Sequence, residues 1–83
     1  MKKTFYRYYG SAGKEVNRDA VIAALTAGLK CKIERGIGEL TIRRDEDGFF
    51  ICKCPDKDHN ASCLMKTPQR AVEWAEGHLR QAH

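Results

Sequence analysis

The sequence lacks any long apolar run, and it also lacks a secretion signal. No stretch approaches the roughly 20 apolar residues of a membrane-spanning helix, so we expect no membrane association. The charged start at Lys2 and Lys3 is not followed by an apolar segment, which predicts a cytoplasmic protein without a signal peptide. In that reducing compartment the four cysteines are expected to be free thiols or metal ligands and not disulfides.

A strong charge bias is also missing. Lysine and arginine number 15 against 11 acidic residues, which gives a net charge of +4, and the acidic residues are spread along the chain. This balance permits a nucleic-acid partner without requiring one. Because no repeat, linker or low-complexity run is present, residues 1–83 are predicted to form a single small domain. A core of this size gains stability from dimerisation or a bound metal, so a homodimer stays open.

Two turn signals in the middle of the chain predict a three-stranded antiparallel meander. Gly36 and Ile37 suit a two-residue type II′ turn, which pairs Ile33 with Leu40. The run Asp-Glu-Asp-Gly at 45–48 suits a longer turn that ends in a glycine at positive φ.

The longer turn pairs Ile42 with Phe50, and this register agrees with that of the first turn. Both registers place the same apolar residues on one face of the meander, and we expect that face to form the core. Its members are Cys31, Ile33, Leu40, Ile42, Phe50 and Cys52.

Helices are predicted on both sides of the meander. Asn17 is a good N-cap for a helix over about residues 18–28. Thr67 and Pro68 mark the start of a second helix, on which Glu76 is expected to face water.

An aromatic, β-prone segment over Thr4–Tyr9 predicts a first strand, and Pro55 to Lys66 reads as a polar loop. The predicted fold is therefore α+β, a three-stranded antiparallel meander with two helices in the order β-α-β-β-β-α.

The second face of the meander carries a candidate partner-binding surface. It is mostly polar, but Phe49 and Ile51 are apolar residues on the side away from the core. Exposed apolar groups beside cations are typical of a surface that binds another molecule. The predicted partner-binding residues are Phe49, Ile51, Arg43, Lys53 and Lys32.

An alternative function is nucleic-acid binding through the basic strands. Arginine beside tyrosine in the first strand combines cations with stacking surfaces, as single-strand binders do. The competing interpretation is a solvated basic strand whose tyrosines pack on the sheet. The residues proposed for this role are Arg7, Tyr8, Arg35, Arg43, Arg44, Lys66 and Arg70.

A second alternative is a small zinc-stabilised module. Cys52, Cys54, His59 and Cys63 offer three thiolates and an imidazole, the ligand types of tetrahedral zinc. Their spacing, C-x-C-x4-H-x3-C, resembles the zinc knuckle, C-x2-C-x4-H-x4-C, with two gaps one residue shorter. Alternate residues of a strand lie about 7 Å apart, whereas two thiolates on one zinc are roughly 3.7 Å apart. The competing interpretation makes Cys31 and Cys52 small core residues with reduced thiols, and it packs Cys54 and Cys63 under the polar loop.

A thiol enzyme is the least favoured function. Cys63 and His59 lie close in sequence on a polar segment, and an activated thiol needs such a base. Nothing in the sequence builds an oxyanion hole, and a domain of this size has little room for a substrate pocket. We therefore expect no catalytic residues and no enzyme activity.

The predicted order over residues 17–82 is similar to the double-stranded-RNA-binding fold, which reads shape and phosphates across RNA minor grooves. That family's last helix opens with a Lys-Lys-x-Ala-Lys-like cluster, and here only Lys66 and Arg70 stand in matching places. Its Gly-Pro-x-His loop is replaced by Arg-Gly-Ile-Gly at 35–38. The resemblance implies RNA binding, and both departures weaken that implication.

Over roughly the last third of the chain, a hairpin, a polar loop and then Thr67, Ala71 and Trp74 resemble very small phage and prophage accessory proteins. Some of these are anti-defence proteins such as anti-CRISPRs, which occupy a surface on a host nucleoprotein complex. The resemblance implies a non-enzymatic binding protein whose partner is a host protein or nucleoprotein complex, with no resident cofactor.

Overall fold

The computed structural model describes residues 3–54 and 62–82 and confirms the α+β class. The strands are β1 (Thr4–Tyr8), β2 (Cys31–Arg35), β3 (Gly38–Arg44), β4 (Phe50–Lys53) and β5 (Ser62–Met65). The helices are α1 (Arg18–Thr26) and α2 (Pro68–Ala82). All strand neighbours are antiparallel, and the sheet order β1-β2-β3-β4-β5 is the order of the chain. Within the described ranges, no helix has the length and apolar character needed to cross a membrane.

The first predicted hairpin is confirmed in register and in turn type. Ile33 lies opposite Leu40, as the two-residue turn requires. Gly36 has a φ of +60°, the value that the first central position of a type II′ turn needs and that glycine adopts without strain.

The second predicted hairpin has the right faces but the wrong register. Ile42 lies opposite Cys52, two residues beyond the predicted partner Phe50. The side chain of Asp45 explains the shift, because its Oδ1 accepts the backbone N–H groups of Asp47 and Phe49, both at 2.9 Å. The turn therefore extends to Phe49. A shift of two residues preserves the alternation of a strand, so Phe50 and Cys52 still face the core.

The prediction of a three-stranded meander was incomplete, because strands lie on both of its edges. The predicted first strand is confirmed, and it pairs with β2. Ser62–Met65, predicted as the end of a polar loop, forms β5 and pairs with β4. The earlier part of that loop, residues 55–61, lies outside the described residues. At four residues, β5 is too short for its alternation to be distinguished from a loop.

Both helices pack on one face of the sheet and against each other. The N-cap prediction for α1 is confirmed, because Asn17 Oδ1 accepts the N–H of Ala20 at 2.8 Å. Thr67 caps α2 in the same way, with its hydroxyl accepting the N–H of Arg70 at 3.2 Å. The helices contribute Val21, Ala24, Leu25, Ala71, Val72, Ala75 and Leu79 to the core, and the sheet contributes every member of the predicted apolar face.

A polar link ties β1, α1 and α2 together at the rim of the core. The Tyr6 hydroxyl donates a hydrogen bond to Glu76 Oε2, and Arg18 Nε donates to both oxygens of the same carboxylate at 3.0 and 3.2 Å. Glu76 therefore does not face water as predicted, and its carboxylate is held by partners on two other elements. Burial, followed by the hydrogen bond to Glu76 and its negative charge, raises the pKa of Tyr6 from 10.0 to about 12.

This raised pKa predicts a loss of stability at alkaline pH. The fold favours the neutral phenol, so the contribution of Tyr6 is complete below pH 10 and is lost as the pH rises towards 12. Tyr6→Phe should lower the free energy of unfolding by about 1 kcal/mol at neutral pH. It should also flatten the decline in stability across that window, measured by urea unfolding at a series of pH values.

Tyr9→Phe is the control, because Tyr9 is exposed and outside the link. In an ultraviolet titration of tyrosinate, one tyrosine of the parent should ionise late, and that step should vanish only in Tyr6→Phe. Ordinary titration of all three tyrosines would contradict the assignment.

Candidate binding face

The face of the sheet away from the helices is the candidate binding face. Side chains alternate along each strand, so the neighbours of buried residues point to this second side. In β3, Leu40 and Ile42 are buried, whereas Thr41 and Arg43 lie on the open side. The open face of the five strands carries Phe5, Arg7, Lys32, Glu34, Glu39, Thr41, Arg43, Ile51, Lys53, Ser62 and Leu64.

The strand pairing brings four of the five predicted partner-binding residues onto this face. Arg43 lies directly opposite Ile51 on the neighbouring strand. Lys32 and Lys53 both lie opposite Thr41, one on each side of β3. Since neighbouring strands are about 4.8 Å apart, these side chains form one continuous surface.

Phe49, the fifth predicted residue, lies in the turn before β4. It is half-buried, and its N–H is bonded to the Asp45 carboxylate. Ile51 on β4 and Leu64 on β5 are direct cross-strand partners. Leu64 therefore occupies the position beside Ile51 where Phe49 was predicted to lie. Leu64 is 56% exposed, and it was missed because β5 was not recognised as a strand.

Charge divides the open face into two halves. On β1 and β2, Arg7 Nη1 donates to Glu34 Oε1 at 2.7 Å, and Lys32 Nζ lies 3.0 Å from Glu39 Oε2. The hydrogen bond to the Glu39 carboxylate, together with its charge, raises the pKa of Lys32.

On β3 to β5, Arg43 and Lys53 have no carboxylate within ion-pair distance in the part of the chain that the structure describes. Among the described residues, this second half therefore presents positive charge around Ile51 and Leu64 without an ion-paired carboxylate. We call the four residues Arg43, Ile51, Lys53 and Leu64 the β3–β5 patch.

The residues proposed for nucleic-acid binding do not form one surface. Arg7 and Arg43 lie on the open face, while Tyr8 packs against the core on the helix side. Arg44 also belongs to the helix side, since its Nη1 donates to the carbonyl of Thr26 at the end of α1, at 3.3 Å. Arg35 shares the alternation of the buried Ile33, and Lys66 and Arg70 lie before and on α2.

Three of the four cysteines are core residues: Cys31 and Cys52, as one of the two interpretations predicted, and also Cys54. Cys31 and Cys52 are buried, and the thiol of Cys52 donates to the carbonyl of Ala71 at 3.5 Å. Burial raises the pKa of each of these two thiols to about 12, with a smaller contribution from Cys63 in the case of Cys52.

The zinc site itself stays a prediction, because His59 lies outside the described residues. Cys63 lies opposite Cys52 on the next strand, and Cys54 is buried just after β4. Across residues 3–54 and 62–82, no group of three or more His, Cys, Asp or Glu residues is placed to hold a metal ion.

Comparisons of the chain with protein families, with curated proteins and with solved structures found no match. The two resemblances drawn from the sequence therefore stay predictions. For the double-stranded-RNA-binding fold, the order α1-β2-β3-β4 agrees, but β5 intervenes before α2 and β1 extends the other edge.

The thiol environments predict different reactivities under native conditions. Cys31 and Cys52 should react with an alkylating reagent at least about tenfold more slowly than the half-buried Cys63, because they are buried and largely protonated. Peptide mass spectrometry after timed labelling would measure each rate, with denatured protein as the reference for full reactivity.

The same preparation tests the zinc alternative. We expect circular dichroism and labelling rates to be unchanged after treatment with a chelator. One equivalent of zinc per chain in metal analysis, with loss of fold and exposure of Cys52 on chelation, would overturn the assignment of Cys52 to the core.

Proposed function

We propose that this protein is a non-enzymatic binding module that contacts an acidic surface of a partner protein through the β3–β5 patch. The observation that carries the proposal is the position of Arg43 and Lys53 beside two apolar side chains, with no carboxylate neighbour among the described residues. Such a surface can remove apolar area from water and gain complementary charge at the same time.

The apolar part of the patch is small but well placed. Ile51 and Leu64 are cross-strand partners, so a single partner residue can contact both. Arg43 lies across from Ile51, and arginine beside an apolar contact is common among residues that dominate binding energy.

The size of the face indicates the kind of complex. The five strands have 5, 5, 7, 4 and 4 residues, a mean of five. At about 4.8 Å between strands and about 3.3 Å per residue, the face measures roughly 19 by 17 Å, or about 320 Å². A stable specific complex buries about 800 Å² on each partner. We therefore propose a transient complex, or one in which the partner also reaches past the edge of the sheet.

Charge also indicates how such a protein would act on a host complex. We propose, following the resemblance to phage anti-defence proteins, that it occupies a protein surface of a host nucleoprotein complex. Its net charge of +4 does not suit mimicry of a nucleic acid in a basic groove. An acidic protein surface of that complex fits the patch better.

The proposal predicts that Arg43→Glu combined with Ile51→Ala abolishes capture of the partner. Both side chains lie on the open face, so the fold should be retained, with a loss of stability of about 1 kcal/mol or less. Quantitative mass spectrometry of proteins captured from the lysate of a host cell would compare the parent, this variant and a control.

Ile37→Ala is the matched control, because Ile37 is 96% exposed at the tip of the β2–β3 hairpin and lies outside the patch. A protein that is captured by the parent and the control but not by the patch variant supports the proposal. Equal capture by all three proteins would contradict the choice of surface.

Nucleic-acid binding is the second candidate, and one observation favours it. Arg7, Lys32 and Lys53 lie in a single row across the sheet, separated only by Thr41, with Arg43 in the adjacent row. Four cations on one flat surface can contact the backbone of a nucleic acid.

A salt series separates the two candidates. Four phosphate contacts give a slope of log K against log salt of about −3 for a single strand. Arg43→Glu should reduce the magnitude of that slope by about 1. We expect no binding to generic DNA or RNA at low salt. Binding with that slope, weakened by Arg43→Glu, would replace the protein partner with a nucleic acid.

A further inference from the structure

Cys52 and Cys63 are two free thiols that face each other on neighbouring strands. They are direct partners in the pairing of β4 with β5, and both side chains pack on the helix side of the sheet. The Cα atoms of directly opposed residues in antiparallel strands lie about 4.5–5.5 Å apart. A disulfide needs Cα atoms about 4.4–6.8 Å apart, so the paired backbone already has the spacing that this bond requires.

The other two cysteines do not share this geometry. Cys31 and Cys52 lie on either side of Ile42, so two strand spacings of about 4.8 Å each separate them. Cys54 follows the end of β4 and is diagonal to Cys63, and diagonal neighbours lie about 7–8 Å apart. Both separations exceed the limit for a disulfide, so the strand pairing selects Cys52 and Cys63.

One member of this pair can be reached from solvent. Cys63 is half-buried on β5, at the edge of the sheet, whereas Cys52 is fully buried. Exchange with a disulfide requires direct contact between the attacking sulfur and the disulfide. We therefore expect Cys63 to react first and Cys52 to react second, from inside the protein.

The buried thiol of Cys52 loses only a weak interaction when its hydrogen is removed. It donates to the carbonyl of Ala71 at 3.5 Å, and a thiol is a weak donor. Ala71 lies in the first turn of α2, where its carbonyl also accepts the helical N–H four residues further on. Oxidation of Cys52 therefore does not leave this carbonyl without a donor.

We propose that Cys52 and Cys63 form a site of reversible oxidation, at which a low-molecular-weight disulfide such as oxidised glutathione cross-links β4 to β5. The Cys63 sulfur bonds to one glutathione sulfur, the S–S bond of glutathione breaks, and the departing thiol takes the proton of Cys63. The Cys52 sulfur then displaces the second glutathione in the same way. Two protein thiols are oxidised to one disulfide, and oxidised glutathione is reduced to two thiols.

The cross-link acts on the strand that carries Leu64. Ile51 and Leu64 are the chain neighbours of the two cysteines, and they are opposed on the open face. Because β5 has only four residues, a covalent bond to β4 fixes its position and that of Leu64 in the β3–β5 patch. The oxidation is independent of the proposed function, whereas its effect on partner binding rests on that function.

Peptide mapping tests the disulfide. The reduced full chain is exposed to an excess of oxidised over reduced glutathione, and the remaining thiols are then alkylated in urea. Trypsin places the last three cysteines on separate peptides, residues 45–53, 54–57 and 58–66. We expect the first and third peptides to be linked, at least about tenfold in excess over any other cysteine pair. Addition of a reductant should separate them.

Two controls test whether the strand pairing selects the bond. Cys63→Ser should prevent the cross-link and keep the fold, which circular dichroism would check, because Cys63 is only half-buried. Cys54→Ala is the matched variant, and it should keep the cross-link. In the parent protein oxidised in urea, where β4 and β5 are not paired, the preference for Cys52 with Cys63 should be lost.

Hydrogen exchange measures the effect of the cross-link on β5. After oxidation, the amides of β5 in the ¹⁵N-labelled chain should exchange at least about tenfold more slowly, because local opening of this strand is suppressed. The midpoint of urea unfolding should rise by about 1–2 M, since the bond closes a loop of the unfolded chain.

Four outcomes would overturn the proposal. The first is that every thiol stays open to alkylation, and the second is a predominant link between Cys54 and Cys63. The third is glutathione bound to Cys63 as the final product, with Cys52 still reduced. The fourth is a cross-link that lowers the unfolding midpoint or leaves the exchange of β5 unchanged. None of these measurements involves partner capture, so they are separate from the test of the β3–β5 patch.

Discussion

Leu40 and Ile42 on the central strand β3 are fully buried, and the rest of the structure depends on the side they face. Burial of each side chain contributes about 1.5–3 kcal/mol. A slip of one residue would turn both outward, and the loss of about 3–6 kcal/mol is comparable to the whole stability of a small domain. The burial of Leu40 and Ile42 therefore also places Arg43 and its neighbours on the open face.

The alternation of buried and open-face residues along each strand also explains which parts of the fold could be predicted from the sequence. The β2–β3 hairpin was predicted correctly because a Gly-led two-residue turn leaves a single register. The β3–β4 register was wrong by two residues because alternation repeats every two residues and cannot detect such a shift. The Asp45 side chain sets this register, because its carboxylate accepts hydrogen bonds from two backbone N–H groups of the turn. Strand β5 was missed because its four residues contain no β-branched side chain.

The candidate binding face could likewise be predicted only where it depends on alternation within a strand. The open-face positions of Lys32, Arg43, Ile51 and Lys53 follow from alternation within strands. The pairing of Arg7 with Glu34 depends instead on which strand lies beside β1, and no local pattern reports that.

The link between Tyr6 and Glu76 joins residues 70 positions apart, whereas every pair of neighbouring strands is consecutive in the chain. Strand pairs of this kind can assemble successively from local contacts, which favours rapid folding. Among the hydrogen bonds described above, the Tyr6–Glu76 contact closes the longest loop and carries the largest entropic penalty for closure. Its formation joins the first strand to the last helix, so the two ends of the chain are expected to open together as one cooperative unit in hydrogen exchange and not to fray independently.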